Sequence, residues 1–222
     1  MTKLRYSFLL ALSTFLVPLS ANAAESLFFE REWWVEATPQ DVKEALNEGY
    51  SINKKDLNGG TPLMYAVSNT ENTDVINVVI AAGADVNAED DVGRTALTAA
   101  SIYSQNPEVI RTLTEHGAEV NAKNIGWTPL VAAVVLNQNP EIVKALIEAG
   151  ASTEEKQETG ETALMLAAKI GKNPEIIKIL LEGGADANAK NYVGKNALDY
   201  AKENPAIYNS DAYRLLEEKT GR

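Results

Sequence analysis

Five glycines set the terms on which this chain can fold. Gly49, Gly83, Gly117, Gly150 and Gly184 follow one another at steps of 34, 34, 33 and 34 residues. A period in this range marks a repeat array, whose units are single supersecondary elements that cannot bury an apolar face without neighbours. Two further columns keep the same phase. One runs Thr61-Pro62-Leu63, Thr95-Ala96-Leu97, Thr128-Pro129-Leu130, Thr162-Ala163-Leu164 and Asn196-Ala197-Leu198. The other runs Asn72-Thr73-Asp74, Asn106-Pro107-Glu108, Asn139-Pro140-Glu141 and Asn173-Pro174-Glu175, with Thr38-Pro39-Gln40 as a forerunner.

Each column has a backbone meaning. Thr before Pro or Ala is a hydroxyl N-cap followed by a residue suited to the first helical position. In the second unit this predicts a slim, Ala-rich helix over roughly residues 96–104. Asn-Pro-Glu starts another: an amide cap, Pro at N1 and a carboxylate near the positive helix end. The glycine then stops that helix by supplying a left-handed conformation. Each unit is therefore two short antiparallel helices and a loop, and the fold class is an all-α solenoid. Stacking rests on two outer-helix columns, Ile76, Ile110, Val143 and Ile177, and Val79, Leu113, Leu146 and Leu180.

Thr-Pro-Leu, the Ala pairs, Val-Ile-x-x-Leu and the run GADVNA at 83–88 resemble ankyrin repeats, over about residues 38–201. One departure is systematic: Thr to Gly spans 22 residues in all four complete units, one more than the usual ankyrin spacing. The organisation expected is a capping repeat at 24–52, four full repeats at 53–187 and a C-terminal capping repeat at 188–222. In the first cap, Phe28, Phe29, Trp33 and Trp34 read as a seal on the end of the stack, with Phe29 and Trp33 placed on one helical stripe. Docking of a partner on these aromatics is the other reading.

The first 23 residues stand apart. Lys3 and Arg5 precede an apolar run from Tyr6 to Leu19, and Ala21-Asn22-Ala23 supplies small residues where a signal peptidase reads. Cleavage after Ala23 and a periplasmic or secreted protein are expected, and the Asn-Pro-Glu style of repeat points to a bacterial source. Removing Lys3 and Arg5 leaves 18 basic against 31 acidic residues, a net charge of −13. Such a surface repels phosphate backbones and anionic headgroups, which argues against nucleic acid and against membrane association after cleavage. Cysteine is absent, which removes disulfides and thiol chemistry.

Catalytic constellations are missing too. The single histidine, His116, stands at a helix end before Gly117, a capping position. Glu89-Asp90-Asp91 and Glu154-Glu155 lack the alternation and glycine of a calcium loop. Asp85 and Asp186 read as turn residues. No cofactor or metal is expected, and no enzymatic activity.

What the resemblance implies instead is protein recognition. Ankyrin arrays bind proteins through their loop tips, the fingers, and the adjoining ends of the inner helices. Carried over position by position, this gives Leu57 and Asn58 in the first finger, Val92 and Arg94 in the second, and Ile125 and Trp127 in the third. Glu161 falls in the fourth finger, and Tyr192 and Lys195 in the fifth. The inner helices add Asn69, Tyr103 and Leu136, beside neighbours such as Lys169 and Ile170. Trp127 has a second reading, as packing between fingers. The expected protein is a monomer that binds a partner protein, with a basic partner favoured by charge. An effector or immunity-type inhibitor acting on a host or competitor protein is the alternative role, and an enzyme on a repeat scaffold the less favoured one.

Overall fold

The computed structural model describes residues 27–124 and 126–221. The segment read as a signal peptide and the finger residue Ile125 lie outside the described residues. After a 3-10 turn at Leu27–Phe29 come α1 (Arg31–Glu36) and α2 (Pro39–Asn47). Four helix pairs follow: α3 (Pro62–Asn69) with α4 (Thr73–Ala81), α5 (Ala96–Tyr103) with α6 (Pro107–Glu115), α7 (Pro129–Ala132) with α8 (Pro140–Glu148), and α9 (Ala163–Ile170) with α10 (Pro174–Glu182). A last pair, α11 (Ala197–Ala201) and α12 (Asp211–Thr220), closes the stack.

The caps are those the columns call for. Thr61, Thr95, Thr128 and Thr162 each accept a hydrogen bond from the backbone N–H three residues on. Asn72, Asn106, Asn139 and Asn173 accept from the N–H two residues on. The period glycines have φ between 86° and 97°, the left-handed region that ends a helix with least strain in glycine. His116 caps α6, its Nδ1 2.8 Å from the Thr112 carbonyl oxygen.

Inner helices pack on inner helices and outer on outer, unit by unit. Both outer-helix columns, from Ile76 to Ile177 and from Val79 to Leu180, are fully buried. Each such side chain contributes about 1.5–3 kcal/mol relative to an exposed one. This is the nearest-neighbour stabilisation of a solenoid, spread over many small interfaces.

Polar bonds repeat as regularly as the apolar ones. Asn53 donates to the Gly83 carbonyl and accepts from Asp85 N–H. Asn87 does the same with Gly117 and Glu119, and Asn121 with Gly150 and Ser152. At the fourth joint the column changes to Glu154, which accepts from Asp186 N–H at 3.0 Å. Between the first two units, the Glu71 carboxylate accepts from the Ser104 hydroxyl and from the N–H groups of Gln105 and Asn106.

Two details differ from expectation. Phe29 belongs to the 3-10 turn and not to the helix of Trp33, so the two share no stripe. Phe28, Trp33 and Trp34 form the buried aromatic cluster, and Trp34 donates its indole N–H to the Phe28 carbonyl at 2.9 Å. Phe29 instead meets the edge of Tyr65, ring centres 5.5 Å apart. The second difference is in the third unit, where α7 runs on as a π-helix over Ala133–Asn137 and closes at Gln138 with φ 60°. There Asn137 stands in the column of Thr70, Ser104 and Gly171, and its longer side chain reaches the Ser104 carbonyl at 2.7 Å.

Candidate interaction surface

The fingers are built on one plan. In four of them a backbone bond closes the loop across four residues: Asp56 to Gly60, Asp90 to Arg94, Gln157 to Glu161 and Asn191 to Lys195. The third is one residue shorter, Asn124 and Trp127 exchanging both bonds. The side chains of Asp56, Asp90 and Asn191 then accept from the N–H groups two and four residues on, at 2.7 to 3.1 Å. Gln157 carries one methylene too many for this geometry, and both polar atoms of its buried amide are without a partner among the described residues. Neighbouring fingers abut at glycine. A Cβ on Gly59 would lie 2.7 Å from the Asp91 nitrogen, and one on Gly160 2.9 Å from that of Tyr192.

The first two fingers and the inner helices behind them, α3 and α5, enclose a groove of about 410 Å³, with Arg31 of α1 on its wall. Tyr65 donates its hydroxyl to Asp56 at 2.7 Å. Burial alone would raise the Asp56 pKa, but the bonds from Tyr65 and the Asn58 and Gly60 N–H groups, with the charge of Arg94, outweigh it and hold the carboxyl below its ordinary value. Burial and the same bond push the Tyr65 hydroxyl up to about 12. Arg94 binds Asp90 through Nε at 2.7 Å, while its side chain stays 44% exposed. The mixed apolar and polar lining includes Met64, Ile102 and Tyr103.

The last two fingers hold a different assembly. Glu161 is buried and accepts from Lys169 at 3.0 Å, from Thr159 at 3.0 Å and from the Tyr200 hydroxyl. Burial raises its pKa, but these bonds and the Lys169 charge prevail and hold it below the ordinary carboxyl value. Asn191 donates its amide to Tyr200 at 2.8 Å. The ammonium groups of Lys169 and Lys195 lie 5.1 and 5.2 Å from the Tyr200 ring centre. Burial and the bond to Glu161 push the Tyr200 hydroxyl up to about 12.

The sequence-predicted contact residues are therefore not equivalent. Leu57, Val92 and Tyr192 are exposed at finger tips, and Tyr103 and Leu136 at inner-helix ends. Asn58, Asn69, Arg94 and Tyr103 come together around the one groove. Glu161 is not available at the surface, because its carboxylate is committed inward. Trp127 is half-buried and packs against the core. Lys195 is half-buried, tied to Glu203 at 2.9 Å. Sequence reasoning passed over Arg31, Asp56 and Tyr65. One signal was there to read, since only the first and last units carry Tyr four residues after the inner-helix cap.

A family model for ankyrin repeats matches residues 35–124, 72–157 and 130–221. The chain belongs to the ankyrin-repeat family. Ankyrin repeats generally act as non-enzymatic protein–protein interaction modules. Among the described residues there is no group of three or more His, Cys, Asp or Glu able to hold a metal ion, and no helix is long and apolar enough to cross a membrane. A search of the curated proteins finds no match.

Proposed function

We propose that the chain is an exported interaction module that binds a partner protein through its fingers and inner-helix ends. The observation that carries this reading is a row of three large apolar side chains. Tyr103, Leu136 and Ile170 each stand eight residues after their unit's Thr, in register on adjacent inner helices, and are 54%, 53% and 45% exposed. An aligned apolar row facing water marks a binding surface more often than a solvated one. Export is supported by the basic start, apolar run and Ala-x-Ala site of residues 1–23. The net charge of −13 left after cleavage favours a neutral or basic partner and faster encounter at low salt.

A direct test uses the purified chain as bait in an extract of the compartment it occupies. The double variant Tyr103→Ala/Leu136→Ala should bind the captured partner more weakly, by about 1–2 kcal/mol or more, at an unchanged unfolding midpoint. Lys144→Ala, on the exposed side of α8, should bind as wild type. Loss in Lys144→Ala with retention in the double variant would place the interface on the other face.

A further inference from the structure

We infer that the groove between the first and second fingers receives a carboxylate of the partner, carried next to an apolar side chain. The inference rests on the protein-binding reading above and specifies the chemistry of one part of that face. Two aspartates and two arginines line the groove, so its formal charge is balanced. Their hydrogen-bonding capacity is not. Asp56 has one oxygen bound by two backbone N–H groups and the other by Tyr65. Asp90 likewise gives one oxygen to two N–H groups and the other to Arg94 Nε. Asp91, the neighbouring fingertip acid, lies against Gly59 and lines none of the groove.

Each aspartate has about three of its four acceptor sites filled, so most of the open bonding capacity on charged groups in the groove belongs to the guanidiniums. Arg94 uses only Nε, and its two Nη nitrogens have no partner among the described residues. Arg31 is exposed and forms no ion pair among them. A planar fork with free N–H groups suits a carboxylate, which it binds with directed, charge-assisted bonds. Met64, Ile102 and Tyr103 beside it supply the apolar wall. The local chemistry thus runs against the net charge of the chain. A segment with one acidic residue in an otherwise neutral or basic partner satisfies both.

The probe is a random-peptide display library selected on the purified protein. Recovered peptides should carry Asp or Glu next to an aromatic or aliphatic residue. A synthetic representative should bind Arg94→Gln about tenfold more weakly or worse, Arg94→Lys at an intermediate level, and should itself lose affinity when its acid is replaced by the amide. Arg31→Gln, which breaks no side-chain bond among the described residues, should also weaken binding, and it decides the matter if loss of the Asp90 partner unfolds Arg94→Gln. Peptides sensitive to Tyr103→Ala/Leu136→Ala but indifferent to both arginines, and to amidation of their own acids, would leave the face in place and overturn this inference. Peptides indifferent to all of these substitutions, or a library that yields no binder, would overturn both.

Discussion

The first and last inner helices place a tyrosine at the same position, and the two ends of the finger face nonetheless differ. Tyr65 donates to Asp56 in its own finger, and the groove beside it stays open. In the last unit the finger residue is Asn191, whose amide donates to Tyr200. That reversal frees the Tyr200 hydroxyl to donate to Glu161 in the preceding finger. One atom, a carboxylate oxygen or an amide nitrogen, decides whether the tyrosine completes its own loop or ties two fingers together. The finger face has an open groove at one end and, at the other, a space filled by its own side chains.

The comparison can be broken most severely in the middle. Leu146 is fully buried in α8, between the two regions. Leu146→Ala should cost about 2–5 kcal/mol through the cavity it leaves. Because each unit is held by its neighbours, hydrogen exchange should speed up at both ends together. Acceleration confined to one end would make the two regions independent folding units.

A smaller effect sharpens the contrast between the tyrosines. Tyr200→Phe removes a bond on each side of the oxygen and should cost about 1–3 kcal/mol, against about 0.5–1.5 kcal/mol for Tyr65→Phe. Equal losses in chemical denaturation would mean the last two fingers are not locked. Each hydroxyl is lifted from 10.0 to about 12 in the folded chain. A folded value above the unfolded one means the stabilisation is intact below pH 10 and is lost as pH rises to about 12. Either Phe variant should therefore lose less stability than wild type across that window, and spectrophotometric titration should show one late phenol fewer.

The smallest effect is a gain. Gln157 sits where Asp56, Asp90 and Asn191 cap their fingers, with its amide unsatisfied. Gln157→Asn shortens the side chain to the length that reaches the N–H groups of Thr159 and Glu161. It should raise stability by about 0.5–1 kcal/mol, read as a shift in the thermal midpoint. No shift would mean that the fourth finger cannot adopt the geometry of the fifth.

What the sequence made legible is what one column can encode. Thr, Asn and Gly act on the backbone within a few residues, so helix starts, stops and the buried outer columns could be read without coordinates. The groove and the lock depend on pairs of columns from different units. Glu161 looked like a surface finger residue because its burial needs Lys169 and Tyr200 together. Arg31 lies in the capping unit, outside the period, and only the packing of α1 on α3 brings it to the second finger's arginine. The π-turn of the third unit ends at Asn137, which binds backward into its neighbour, a contact no local propensity carries.

The Glu154 substitution in the asparagine ladder has a mechanical side. A carboxylate can hold the Asp186 N–H but has no hydrogen to offer the Gly184 carbonyl, so this joint keeps one of the two rungs found at the three joints before it. The same junction carries the Glu161–Tyr200 tie among its fingers. What is lost beside Glu154 is replaced elsewhere at the same joint, where the buried Asn204 amide of the last unit donates to the carbonyls of both Ala168 and Gly171.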